Sequence, residues 1–226
     1  MTGFKLRLGV LAAAVAAVAG AAVPAAGADA PAAGAGGGGR PVVGVPLRDA
    51  VAALPVEVEH REGYDREREF GGWVDADRDG CNTRAEVLLA EAVDAPSMTG
   101  RCTLEGGSWY SYYDDSYVTE RIDIDHLVPL AEAWDSGAWR WERQRRVAYA
   151  NNLDVAHHLV AVTARSNRSK ADKDVAQWLP PYEPARCRYV AEWVSVKRTN
   201  GLSVDEAERQ MLADLAEQCP NVPVSQ

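Results

Sequence analysis

Most of the short signatures that announce an enzyme are missing from this 226-residue chain. It has no H-E-x-x-H pair for a zinc protease, no G-x-S-x-G nucleophile elbow and no P-loop. It has no C-x-x-C spacing, which argues against a zinc ribbon. It has no excess of positive charge either: 24 basic residues face 33 acidic ones, a net charge of −9 at pH 7. That balance excludes passive adhesion to nucleic acid, which needs clustered Lys and Arg on the phosphates. A local basic cleft or a bound cation remains open. Histidine is scarce, with only His60, His126, His157 and His158, so each position is informative.

What is present is ordinary for a soluble globular protein: 47% hydrophobic and 25% charged residues. Lys5 and Arg7 precede an apolar stretch of Ala, Val, Leu and Gly from Leu8 to Val23, and Ala26-Gly27-Ala28 follows with small residues at both A-x-A positions. This is the layout of a secretory signal peptide, expected over residues 1–28. The apolar run falls short of the roughly 20 residues of a spanning helix, so cleavage and an extracellular location are expected, without stable membrane association. Residues 29–44 are a Gly/Ala tract that cannot offset its ordering entropy and read as a flexible linker. The folded domain is expected over residues 45–226.

Cys81, Cys102, Cys187 and Cys219 make an even set in a chain marked for export, which reads as two disulfides. Of the three pairings, Cys81–Cys102 and Cys187–Cys219 are favoured because each closes a local loop. Apolar periodicity predicts helices over 47–54, 84–92, 130–136, 141–150, 167–178 and 188–199, and a last one opened by Ser203 and Glu206 as a capping box. A second capping box is expected at Thr83 and Glu86. Alternation and β-branched residues predict extended segments over 117–127 and 158–163. The sum is a helix-rich α+β domain around a small β-hairpin.

The strongest chemical signal is Asp123-Ile124-Asp125-His126-Leu127-Val128-Pro129. On a strand, the two aspartates point to one face and His126 to the other. An oxygen ligand and a titratable base at a strand end are the parts that phosphodiester hydrolysis needs. A second signal is Arg165-Ser166-Asn167-Arg168-Ser169-Lys170, where Asn167 is expected at a helix start and offers a neutral carbonyl ligand beside phosphate-binding cations. Each signal has a plain structural alternative, a strand-end His bonded to its neighbour and an Asn N-cap. A third is Asp75-Ala76-Asp77-Arg78-Asp79-Gly80, with Glu86 at the twelfth position. This matches the EF-hand calcium loop, with Asn82 at the eighth position as a departure from it. Finally, Arg140 to Arg146 is the densest basic cluster, and on a helix Arg143 and Arg146 share a face that could track a phosphate backbone.

Asp125-His126, His158 and Asn167 together resemble the signature of the HNH, or His-Me finger (ββα-metal), endonucleases. More narrowly, the stretch from Arg121 to Pro181 resembles the secreted bacterial HNH endonucleases related to the C-terminal nuclease domain of GmrSD-type restriction enzymes. The matching pieces are Asp125 to Leu130, Ala133 to Ala138, Ser166 to Lys170 and Trp178 to Pro181. The resemblance implies His126 as general base, and Asp125 and Asn167 as holders of one divalent ion, Mg²⁺ or Mn²⁺. It implies a bracing role for His158, which stands where the superfamily often has Asn, a supporting role for Asp123, and Lys170 or Arg168 on the scissile phosphate. The expected function is a monomeric secreted endonuclease acting on DNA, with RNA as the alternative strand. The rival expectation is a non-catalytic, Ca²⁺-stabilised extracellular binding module.

Overall fold

The computed structural model describes residues 44–155 and 157–225, so the expected signal peptide and all of the expected linker but Gly44 lie outside it. The described chain runs through β1 (Val45–Pro46), α1 (Leu47–Ala52), α2 (Arg66–Phe70), α3 (Thr83–Ala90), β2 (Ala92–Asp94), β3 (Ser97–Thr99), β4 (Thr103–Glu105), β5 (Ser108–Ser111) and β6 (Ser116–Val118). It continues through β7 (Ile122–His126), α4 (Leu130–Asp135), α5 (Arg143–Ala150), β8 (Leu159–Thr163), α6 (Ala164–Lys170), α7 (Arg186–Asn200), α8 (Glu206–Gln218) and β9 (Pro223–Val224). The class is α+β, as expected. The strands form several small sheets: β2-β5-β6 and the pairs β1-β9, β3-β4 and β7-β8.

The element that matters most is built from β7, β8 and α6. β7 and β8 pair antiparallel, with His126 opposite Leu159 and Ile122 opposite Thr163. α6 begins at the residue after β8, capped by the Thr163 hydroxyl, which accepts from the Ser166 N–H at 3.3 Å. The result is a ββα unit. The period-2 alternation of β7 sends Ile124 into a small apolar cluster with Val87, Leu88, Trp109, Leu159 and Ala161. Asp123 and Asp125 then point to the opposite face, toward α6. The larger core sits among α1, α4, α5, α7 and α8, where Trp193, Tyr113, Tyr189, Phe70 and Leu127 are fully buried.

Both disulfides are the local ones: Cys81–Cys102 with Cα atoms 5.1 Å apart, and Cys187–Cys219 at 5.4 Å. The first staples the Asp75–Glu86 segment to the β3-β4 hairpin region. The second ties the start of α7 to the end of α8.

Several local expectations are corrected. Asn82 caps α3, accepting from the Ala85 N–H, while the Thr83 hydroxyl bonds to the Val74 carbonyl instead. Asp205 caps α8, so Glu206 is the first helical residue and Ser203 lies upstream. In both cases an Asx residue beside the expected Ser or Thr cap offers the better acceptor. The expected extended run over 117–127 is broken at Arg121, whose φ of 56° turns the chain between β6 and β7. α6 starts three residues before Asn167 and ends at Ala171, where φ is 51°, so the segment to 178 is not helical.

Candidate active site

His126 ends β7, almost wholly buried. Its Nε2 lies 2.9 Å from the Ala150 carbonyl, so that nitrogen carries the proton and donates. Nδ1 then holds the free lone pair, with no hydrogen-bond partner among the described residues. The ring stacks on Trp73 at 5.1 Å between centroids and 4° between planes. Burial holds the imidazole well below its ordinary pKa, and His158 and the Arg66 charge push the same way against the Ala150 bond. His126 is a neutral base at neutral pH.

His158 is completely buried and donates from Nε2 to the Tyr149 carbonyl at 2.7 Å. Its backbone carbonyl accepts from the Leu127 N–H at 3.0 Å. It therefore braces the end of β7 from beneath. The two histidines share one device. Tyr149 and Ala150 end α5, where helical carbonyls lack intrahelical donors, and each imidazole satisfies one of them. A helix C-terminus favours a cationic imidazole, but here burial outweighs it and His158 is lowered to about 4.

Asp125 is buried on the other face of β7. Tyr113 donates its hydroxyl to Oδ2 at 2.6 Å, and the Lys170 ammonium donates to Oδ1 at 2.8 Å and to the His126 carbonyl at 2.9 Å. Burial raises the Asp125 carboxyl and lowers the Lys170 ammonium, and their direct contact opposes both shifts. Lys170 is fully buried, so it grips the strand end and offers nothing to a phosphate. That corrects its expected contact role. Asn167 lies one turn into α6 and donates from Nδ2 to Asp123 at 3.3 Å, which leaves its Oδ1 free. Arg168 is exposed, with Nε 3.6 Å from Asp123.

Asp125, His126, Asn167 and Arg168 line one cavity of about 350 Å³, together with Arg66 and Asp172. A larger groove of about 800 Å³ adjoins it through Arg168 and is lined also by Arg121, Arg165 and Tyr117. The donor set of carboxylate and amide oxygens suits a hard divalent cation that keeps several waters. Each Asp125 oxygen has a lone pair beyond the one its donor uses, so the set fits such an ion.

The basic helix is corrected most. Arg146 is buried and its guanidinium bonds to Glu69 at 2.6 Å and to the Trp141 carbonyl, so it cannot track a phosphate backbone. Arg143 is exposed but donates to the Arg68 carbonyl at 2.7 Å. The segment that reads as a phosphate track is thus the mount for α2 and the source of the histidine-binding carbonyls. Trp73, Tyr113 and Arg66 have no sequence signal that marks them for the site.

In the calcium-like loop, one carboxylate oxygen from each of Asp75, Asp77 and Asp79 lies within 4.8 Å of the others, all three residues exposed. Gly80, Asp79 and Cys81 donate their N–H groups to the three side chains in turn. The Glu86 carboxyl is raised, by burial and by these three aspartates.

No solved structure matches the chain. A protein from Arthroderma benhamiae named "Uncharacterized secreted protein" is 37% identical over 161 residues, covering 70% of this chain and 77% of its own. Among the described residues, no helix is long and apolar enough to cross a membrane. Residues 75–215, which hold the ββα unit, the disulfide-stapled acidic loop and most of α8, match the family model described as "GmrSD restriction endonucleases, C-terminal domain". The chain therefore belongs to the family of GmrSD restriction endonuclease C-terminal domains.

Proposed function

We propose that this protein is a secreted, metal-dependent endonuclease of the HNH (His-Me finger) type that hydrolyses DNA. The observation that carries the reading is the single cavity shared by Asp125, His126 and Asn167 at the end of a ββα unit. Export is supported by the residue pattern of 1–28, by two disulfides and by the name of the secreted relative.

His126 is the general base. Its Nε2–H is spent on Ala150, and Nδ1 takes the proton from the attacking water as that oxygen bonds to phosphorus. The bond from phosphorus to the leaving oxygen breaks, and solvent protonates the alkoxide. Trp73 and His158 keep the imidazole from rotating away. Asp125, gripped by Tyr113 and Lys170, and Asn167, held by Asp123, would bind a divalent cation, which supplies Lewis-acid stabilisation of charge on the reacting oxygens. Arg168 and Arg165 guide the flanking strand along the adjoining groove. The Asp75–Glu86 loop is a structural Ca²⁺ site in the same proposal.

Plasmid cleavage by the mature protein, compared in EDTA, Mg²⁺, Mn²⁺ and Ca²⁺, tests the reading. Cleavage that EDTA stops and His126→Ala abolishes is the expected result. A folded, disulfide-intact protein that cleaves neither DNA nor RNA in any metal would refute it and favour the binding module.

A further inference from the structure

We infer that Arg66 is a catalytic, phosphate-binding residue of this site, which holds the non-bridging oxygens of the scissile phosphodiester in the cavity it shares with His126 and Asn167. The inference rests on the nuclease reading.

Arg66 lines two cavities that His126 also lines. One is the 350 Å³ cavity with Asp125 and Asn167, and the other is a pocket of about 140 Å³ with Trp73, Gly72 and Ala150. An anion in either cavity lies beside both His126 and Arg66. Of the other nearby cations, Arg168 is exposed and reaches toward the larger groove, and the rest are bound within the scaffold. Lys170 is bound to Asp125 and the His126 carbonyl, Arg168 faces Asp123, Arg146 is paired with Glu69, and Arg143 donates to the Arg68 carbonyl. Glu67 and Asp172 line the same cavities, yet among the described residues no carboxylate pairs with Arg66. A free guanidinium beside the base of a phosphodiesterase matches a phosphate with two parallel N–H donors.

The mount is rigid. Arg66 is the first residue of α2, and the Asp65 side chain caps that helix through the Arg68 N–H at 2.9 Å. Phe70, fully buried, packs edge-on against Tyr149 with centroids 6.4 Å apart. Glu69 is tied to Arg146 at 2.6 Å. α2 is thus bolted to α5, the helix whose last carbonyls orient both histidines. Base and guanidinium are referenced to one element, which preserves their spacing. Arg66 lies outside the residues matched by the family model, so the segment before the matched region completes the site. Its chemistry is electrostatic: it stays protonated, transfers nothing and stabilises charge that builds on the non-bridging oxygens.

The test compares wild type with Arg66→Ala, Arg66→Lys and His126→Ala in two assays. One is oligonucleotide cleavage with the active metal. The other is titration with thymidine 3′,5′-bisphosphate in EDTA, which needs no turnover. Arg66→Ala should lower kcat/KM on the order of 100-fold, recover partly with added guanidinium, and weaken bisphosphate binding about 10-fold. Arg66→Lys should fall between. His126→Ala should lose cleavage and keep bisphosphate binding. Arg66→Ala within twofold of wild type in the bisphosphate titration would overturn the role of Arg66 whether or not the wild type cleaves. A wild type that binds the bisphosphate through Arg66 and cleaves nothing would overturn the nuclease reading alone. One that does neither would overturn both.

Discussion

Replacing His158 with Gln should flatten the acid side of the stability curve by about 2 kcal/mol. His158 is lowered from 6.5 to about 4 in the folded state, chiefly by burial. Above pH 6.5 it is neutral folded or unfolded, and no stability is lost. As pH falls below 6.5 the unfolded chain takes up a proton that folded His158 refuses, so stability drops until the pH reaches the folded value near 4. At pH 5 the loss relative to pH 7 is about 2 kcal/mol, from ~1.4 kcal/mol per pKa unit. Gln does not titrate, and its amide can still donate toward the Tyr149 carbonyl. The raised carboxyls of Asp125 and Asp174 act in the opposite direction in both proteins and cancel in the comparison. Urea unfolding at pH 7 and pH 5, followed by fluorescence of the seven tryptophans, measures the difference. An equal pH 7-to-5 loss in wild type and His158→Gln would refute a buried, neutral His158.

Three further outcomes are expected. Replacing both Cys187 and Cys219 with Ser opens a loop of separation 32 and should cost about 3–4 kcal/mol in urea unfolding. Lys197 is fully buried, with its ammonium within hydrogen-bond distance of Glu132, Glu208, Ser136 and the Ser203 carbonyl; Lys197→Met leaves the buried Glu132 and Glu208 carboxyl groups without their cation and should cost about 3–5 kcal/mol by the same assay. Calcium at ten times its dissociation constant should add about 1.4 kcal/mol of stability, read as a rise in Tm. Asp77→Asn with Asp79→Asn should remove that rise, and a wild-type Tm indifferent to Ca²⁺ would dismiss the loop as a calcium site.

The outcomes divide along a physical line. The α+β class, the two local disulfides and the alternation of Asp123, Asp125 and His126 were all legible in the sequence. Each depends on neighbours close along the chain: a strand alternates with period 2, and a loop of 21 or 32 residues closes readily. The family was legible for the same reason, since each of its matching pieces is a short contiguous run, among them the end of β7 and the end of α6. The helix caps were misread by one or two residues because Asn82 and Asp205, next in line to Thr83 and Ser203, are equally good caps by residue type.

What tertiary packing alone decided is the direction of long side chains and the company of the histidines. Sequence could not tell that Arg146 turns inward, because its partner Glu69 is 77 residues away. It could not tell that Trp73 covers the His126 ring, or that the end of α5 supplies a carbonyl to each buried imidazole. A cluster of arginines on a helix reads the same whether its guanidiniums meet solvent or a buried carboxylate. Only the fold, by bringing α2 against α5, decided which cation was consumed in the scaffold and left Arg66 beside His126 with no carboxylate partner among the described residues.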